Sequence, residues 1–188
     1  MAQPKPDTVR VWDRLVRGGH WGSLLLIAIA LNTHGGLLTL HRSAGYALLA
    51  LLGWRIVWGF VGTGHARFAD FVPSWARLAR YLGQMLRGSE PRMLGHNPAG
   101  ALMVLALIAT LLAIVATGLV LDTTAFRDHR PLHAWHDGLS DALLVLASLH
   151  VLGVVYTSFR HRENLIWAMV TGRKPAIPAG TTKARRHQ

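Results

Sequence analysis

Four apolar segments, each close to the length of a membrane-spanning helix, alternate along the chain with polar and basic connections. They occupy residues 11–32, 39–61, 98–121 and 135–158. A helix needs about 20 apolar residues to cross the hydrocarbon core of a bilayer. The pattern therefore predicts an all-α integral membrane protein, a four-helix bundle surrounded by membrane lipid. The first segment is the weakest, because Arg14, Arg17 and Gly18-Gly19 interrupt its start.

The connections between the segments indicate how the helices are arranged. Residues 33–38 form a very short connection, so the first two segments are expected to pair as an antiparallel hairpin. Asn97 and Pro98 begin the third segment, with proline at a position that the first turn of a helix tolerates. We predict a single transmembrane domain over residues 1–175, followed by a disordered basic tail over residues 176–188.

The long second connection contains an amphipathic pattern. In PSWARLARYLGQMLRG, four apolar side chains recur at helical spacing among arginines: Trp75, Leu78, Leu82 and Leu86. This pattern predicts a helix that lies on the inner membrane surface with these four side chains toward lipid. A short solvated helix is the alternative.

Basic residues outnumber acidic ones, 20 to 9, and they are unevenly distributed. Most lie in the N-terminus, the second connection and the C-terminus, whereas the opposite side of the membrane has only Arg42, Arg127 and Arg130. Cytoplasmic loops of membrane proteins are enriched in Lys and Arg. We therefore predict a multi-pass protein of the bacterial inner (plasma) membrane with both its N- and C-termini in the cytoplasm. The charge comes without a helix-turn-helix or a basic groove with aromatic residues, so no nucleic-acid partner is expected.

Cysteine is absent from the sequence. Disulfides, zinc sites with thiolate ligands and iron–sulfur clusters are therefore excluded, as is haem attached through a Cys-x-x-Cys-His motif. A haem in this chain would be held without covalent bonds from cysteine, by side chains such as histidine.

Four of the eleven histidines fall within or at the edge of the predicted spans. His136 and His150 are fourteen residues apart, which places them about 21 Å apart along one helix and on nearly the same face. The topology puts His20 at the depth of His150 and His41 at the depth of His136. A lone histidine in a membrane often bonds another helix, but four matched in depth favour bis-histidine haem ligation. The predicted pairs are His20 with His150 at the inner haem iron, and His41 with His136 at the outer haem iron.

Two arginines are candidates for binding haem propionates. Arg17 precedes His20 by three residues, and Arg55 lies in the inner part of the second span. A carboxylate in a low-dielectric setting needs a cationic partner. The alternative is that both side chains extend to the inner headgroups.

Two other histidine motifs carry weaker hypotheses. His96, in GHNPAG, is a candidate substrate contact, with a capping or loop role as the alternative. His133 and His136 have a spacing that can bind zinc on a helix, but no third ligand is evident in the sequence.

Six further segments form a distinctive set. They are VWDRLVRGGHW, LHRSAGYALLALLGWRIVWGFVG, ARFADFV, LGHNPAGALMVLAL, WHDGLSDALLVLASLHV and SFRHRENLIWAMVTGRKP. Together they resemble the prokaryotic cytochrome b561 family, and within it the group similar to the b-type cytochrome subunit of nickel–iron hydrogenases. The resemblance implies a four-helix cytochrome with two b-type haems on His20, His41, His136 and His150. It also implies electron exchange between the membrane quinone pool and a partner, often a periplasmic c-type cytochrome or a hydrogenase.

Alternative functions remain open at this point. A bis-histidine iron has no free coordination position, which favours electron transfer over substrate binding at iron. An enzyme of the superoxide oxidase type, passing electrons from superoxide to quinone, is the main alternative, and a subunit without independent activity is another. A diiron oxygenase would need dense histidine boxes that are absent, and a scaffold without cofactors leaves the four histidines unexplained.

Overall fold

Four long helices and several short elements make up the computed structural model, which describes residues 8–33, 35–62 and 64–176. In chain order the elements are β1 (Thr8–Arg10), α1 (Arg14–Leu31), α2 (Leu38–Val61), α3 (Phe68–Phe71), α4 (Trp75–Leu86), α5 (Pro98–Leu121), α6 (Arg130–His161), α7 (Leu165–Thr171) and β2 (Arg173–Pro175). Residues 1–7 of the predicted domain and the predicted tail beyond Ala176 lie outside the described residues.

The four long helices coincide with the four apolar segments. Within the described residues, α2, α5 and α6 are long and apolar enough to cross a membrane. The shorter helix α1, whose segment is the least apolar of the four, is not among the helices that are long and apolar enough. The helical membrane architecture is confirmed at this level, and a fourth crossing by α1 stays a prediction.

The helices form two antiparallel hairpins, α1 with α2 and α5 with α6, which meet chiefly through α2 and α5. The start of α2 and the end of α5 lie together at one end, which we call the turn end, because Arg42 and Asp122 form an ion pair there at 2.9 Å. The opposite end, which carries β1 and β2, is called the ribbon end. The hairpin predicted from the short first connection is therefore present.

The core is thin, and most apolar side chains face outward. One buried cluster lies between α2, α5 and α6: Leu48, Leu52, Leu111, Val115 and Leu143. A second cluster lies at the ribbon end: Val11, Trp12, Val16 and Ala66. Meanwhile α6 exposes large apolar side chains along its length, among them Val145, Leu152 and Phe159. Apolar surface of this extent suits contact with lipid rather than water.

Side-chain caps define where two of the long helices begin. Asn97 accepts a hydrogen bond from the Gly100 amide at 2.7 Å, and Pro98 occupies the first turn, as the sequence predicts. Asp13 caps α1 by accepting from the Val16 amide at 2.7 Å. The other oxygen of Asp13 accepts from the Trp58 indole at 3.1 Å, which ties the start of α1 to α2.

Helix α4 forms as predicted, but one of its four apolar side chains faces the protein. Trp75 and Leu86 are more than four-fifths exposed, and Leu82 is partly exposed. Leu78 is buried together with Tyr81 because α4 packs against α5. The prediction that Leu78 faces lipid was therefore wrong, since residues three apart share one face of a helix and that face is covered.

A small β-ribbon at the ribbon end was not predicted. β1 and β2 pair antiparallel, with Thr8 opposite Pro175. Gly172 precedes the ribbon at φ +80°, and a Cβ there would lie 2.6 Å from the Trp12 carbonyl oxygen, so glycine is required.

A buried ion cluster secures the ribbon. The Glu163 carboxylate accepts from Arg92 at 2.8 Å and from Lys174 at 3.4 Å. Arg92 also donates to the Pro175 carbonyl at 2.7 Å. Burial lowers the pKa of Lys174, and the neighbouring Glu163 partly opposes this effect. Three distant parts of the chain therefore depend on one carboxylate.

We expect Glu163→Gln to lower the free energy of unfolding by about 3 kcal/mol or more, because it leaves two cations at a buried site without their counter-charge. Thermal or denaturant unfolding in detergent measures the change. Asp70→Asn is the matched control, since its ion pair with Arg67 is exposed and contributes little. Equal losses for the two variants would contradict the role of the buried cluster.

Candidate cofactor site

His41 and His136 face each other near the turn end. His41 lies in the first turn of α2 and His136 in the second turn of α6. Their ring centroids are 6.1 Å apart and the ring planes are inclined at 69°. The two hairpins thus contribute one imidazole each to the same point in the bundle.

Hydrogen bonds fix the orientation of both rings. The Nδ1 atom of His41 is 2.9 Å from the Ala30 carbonyl oxygen, to which only an N–H can donate. The Nδ1 atom of His136 is 2.9 Å from the Thr117 hydroxyl, whose hydrogen is directed to the carbonyls of Ala113 and Ile114. With the proton on Nδ1 in both rings, the lone pair is on Nε2 and is available to a metal.

A cleft surrounds this pair. It is lined by His41, His136 and residues of α1, α2, α5 and α6, including Gly45 and Gly118. A Cβ at Gly118 would lie 3.3 Å from the His136 ring, whereas one at Gly45 would meet open space. Asp122 also lines the cleft, where it accepts from Tyr46 at 2.8 Å in addition to its ion pair with Arg42. The cleft is therefore apolar inside and charged where it meets the turn end.

His20 and His150 face each other nearer the ribbon end. His20 lies on α1 and His150 on α6, with ring centroids 6.5 Å apart and planes inclined at 51°. Trp21 packs edge-on against the His20 ring, with centroids 5.2 Å apart. The Nδ1 atom of His20 is buried and has no hydrogen-bond partner among the described residues. This pair therefore lacks the backbone and threonine contacts that orient the other pair.

The spacing of both pairs fits a metal ion between two imidazoles. Two metal–nitrogen bonds of about 2 Å, with the ring radii added, separate the centroids by roughly 6 Å. Within the described residues, no group of three or more His, Cys, Asp or Glu side chains gathers at one point. Each pair therefore offers two ligands, the number that an iron already held in a planar macrocycle requires.

The two predicted arginines differ in their contacts. One Nη of Arg17 donates to the Val170 carbonyl, while its Nε is buried without a partner. Arg55 has a buried Nη1 without a partner, and its guanidinium lies over the Phe68 ring at 5.2 Å from the centroid. Among the described residues, neither arginine forms an ion pair with a carboxylate. Buried guanidinium nitrogens that lack a hydrogen-bond partner among the described residues favour an anionic ligand.

The structure gives His96 a more specific place than the sequence did. Its ring packs between Trp12, at 4.7 Å, and Phe71, at 4.9 Å between centroids, and its Nδ1 is buried without a partner. Burial, followed by the charge of Arg55, lowers the pKa of His96 to about 3, so the ring is neutral at physiological pH. The cap of α5 is Asn97 and not His96.

The remaining hypothesis from the sequence is a zinc site at His133 and His136. His133 donates from Nε2 to the Arg127 carbonyl at 2.8 Å, and His129 caps α6 by accepting from the Leu132 amide at 3.2 Å. The zinc-like spacing of His133 and His136 is thus not accompanied by a third ligand among the described residues. Thr117, which orients His136, was missed, because nothing marks one threonine within an apolar helix.

Comparison with known proteins identifies the family. Residues 11–172 match the family described as prokaryotic cytochrome b561. This chain belongs to that family. The resemblance inferred from the sequence segments is therefore confirmed, and membership supports a membrane-bound cytochrome b that takes part in electron transfer.

Relatives of this cytochrome b561 family member carry a common description. A "Probable Ni/Fe-hydrogenase B-type cytochrome subunit" of Azotobacter vinelandii is 31% identical over an alignment of 160 positions, which covers 70% of this chain and 65% of the relative. A protein of the same description from Bradyrhizobium diazoefficiens is 24% identical over a gapped alignment of 214 positions, which covers 89% of this chain and 86% of the relative. The alignment thus spans just under two thirds of the Azotobacter protein. No solved structure matches the chain significantly.

We expect Thr117→Val to weaken haem binding at the His41–His136 pair by about tenfold to a hundredfold, because valine keeps the shape but cannot accept the His136 proton. Haem titration of the purified protein, followed in the visible spectrum, measures this. Thr123→Val is the control, since Thr123 makes a similar bond to a backbone carbonyl without contacting a histidine. A comparable loss in the control, or a loss confined to the His20–His150 pair, would show that Thr117 does not orient the ligand.

Proposed function

We propose that this chain is a di-haem cytochrome b of the bacterial inner membrane that transfers electrons between the quinone pool and a partner redox protein. The observation that carries the proposal is the pair of facing imidazoles at each of two levels, with ring centroids 6.1 and 6.5 Å apart. Membership of a cytochrome b family supports haem b as the group that these pairs hold.

In this proposal each haem iron has two histidine ligands from different hairpins. His20 and His150 hold one iron, and His41 and His136 hold the other. When bound, the haems supply one-electron chemistry between ferrous and ferric iron. With two imidazoles as its ligands, each iron would have no position left for oxygen or a substrate. Arg17 and Arg55 bind propionates, which would provide the counter-charge that their buried nitrogens lack.

Helix α6 sets the separation of the two sites. His136 and His150 are about 21 Å apart along its axis. The chain would therefore hold two redox centres, one toward each end of the bundle. Because the helix is continuous from Arg130 to His161, this separation is fixed by backbone geometry.

The orientation in the membrane rests on charge. The turn end carries only Arg42, Arg127 and Arg130 among the arginines and lysines of the helix starts and connections there, whereas most of the arginines lie toward the ribbon end. The bias supports a cytoplasmic ribbon end with both termini, and four crossings that include α1. The His20–His150 pair is then the inner site, and the His41–His136 pair is the outer site.

The partner is expected at the turn end. The outer pair is close to the surface formed by the short connections there, which are too small to hold a second redox centre of their own. The relatives described as hydrogenase subunits support a hydrogenase as one candidate partner, and a periplasmic c-type cytochrome is the other. A superoxide oxidase-type enzyme is the alternative function, and turnover with superoxide separates it from an electron carrier.

The quinone link is tested in liposomes that contain the purified protein. Adding a quinol should reduce the haems, as followed by absorbance, and an oxidised c-type cytochrome or a hydrogenase acceptor should then reoxidise them. Haems that a quinol cannot reduce, and that quinone cannot oxidise, would refute the link. Rapid turnover with superoxide and quinone alone would favour the enzyme over the carrier.

The ligand pairs are tested by single substitutions. His20→Ala and His150→Ala should remove the same haem component from the spectrum, and His41→Ala and His136→Ala should remove the other. His133→Ala is the control, since its ring contacts a backbone carbonyl of its own loop. If His20→Ala and His41→Ala removed the same component, the pairing would be wrong.

A further inference from the structure

His96 is a buried hydrogen-bonding group that the proposed function leaves unused. Its ring is fixed between Trp12 and Phe71, and its Nδ1 has no partner. A buried donor without an acceptor is strongly unfavourable, so a position of this kind usually has a ligand or water.

The charges around His96 indicate what the missing acceptor is. The ionisable groups that act on it are Arg55, Lys174, His150 and His65, which are cationic or imidazole. Two carboxylates at this end of the bundle are already engaged: Asp13 with Val16 and Trp58, and Glu163 with Arg92 and Lys174. Among the described residues, the ionisable groups that act on His96 are thus cations and imidazoles, and no carboxylate bonds its Nδ1.

Arg55 independently indicates that an anionic acceptor is missing near His96. Its Nη1 is also buried without a partner, although guanidinium groups require acceptors when they are desolvated. Arg55 acts electrostatically on His96, and so does His150 of the inner pair. One carboxylate that extends from the inner pair toward the ribbon end would satisfy both donors.

We propose that His96 is a haem-positioning residue, whose Nδ1–H donates to a propionate carboxylate of the haem held by His20 and His150, beside Arg55. This inference rests on the inner haem assignment made above. A carboxylate acceptor favours the His96 tautomer that carries its proton on Nδ1. Arg55 supplies the positive charge, and the neutral His96 ring adds a directional hydrogen bond. A quinone oxygen is another acceptor for such a donor, and the experiment distinguishes the two.

The first part of the experiment measures haem retention in the full-length holoprotein. His96→Leu should speed transfer of the inner haem to apomyoglobin by about tenfold or more, the effect of losing a hydrogen bond to a charged group. His96→Asn keeps an N–H near the position of Nδ1 and should restore most of the retention. The outer haem is the internal control, and His161→Leu, at the same end of the bundle, is the control variant.

The second part identifies the acceptor. The protein is reconstituted with iron protoporphyrin IX dimethyl ester, which has no free carboxylates. If the acceptor is a propionate, His96→Leu and wild type should then release the inner haem at similar rates. An effect of His96→Leu that is unchanged by esterification would assign Nδ1 to another acceptor and overturn the proposal, as would an absence of any effect with ordinary haem.

Two other results are told apart from failure of the His96 proposal: failure of His96→Leu to assemble, and absence of the inner haem from the wild-type protein. If His96→Leu does not assemble, His96→Gln serves instead, because its amide reaches toward the Nε2 side and should not restore retention. If the wild-type protein binds no haem at His20 and His150, the proposed function fails before the role of His96 is tested. An inner haem that is present but insensitive to His96 contradicts this inference alone.

Discussion

The structure depends on imidazole rings that meet across the boundary between two helical hairpins. Each pair joins a histidine of α1 or α2 to one of α6, within a bundle whose direct packing between hairpins runs mainly through α2 and α5. Placing polar rings in an apolar interior is costly unless they bind something. A metal between each pair would remove that cost and link the hairpins at two levels. The haems are thus proposed to be structural parts of the bundle as well as electron carriers.

The two pairs are supported in different ways. The rings of His41 and His136 are oriented by the backbone of α1 and by Thr117 on α5. The His20–His150 pair has no comparable support and lies instead near buried donors that lack acceptors. The protein therefore orients the first pair, whereas in the proposed account the carboxylates of the bound haem would complete the second site. We expect the two haems to differ in reduction potential because of this asymmetry, since hydrogen bonding and nearby charge set haem potentials.

Helical periodicity explains which features the sequence could predict. The four long helices follow from segment length, and the start of α5 follows from the Asn97-Pro98 capping signal. The fourteen-residue spacing of His136 and His150 fixes their relative depth by backbone geometry alone. The ribbon, the burial of Leu78 and the packing of His96 against Trp12 and Phe71 could not be predicted, because each depends on contacts between distant parts of the chain. The ion cluster around Glu163 could not be predicted for the same reason.

The central claim is that the two histidine pairs bind two separate haems. The most direct measurement is the haem content of the fully loaded, full-length protein by pyridine haemochrome, set against protein concentration from amino-acid analysis. The account predicts two b-type haems per chain, both extractable with acid acetone because no cysteine is available to attach them. A limiting value of one haem per chain in protein that accepts no more would contradict it.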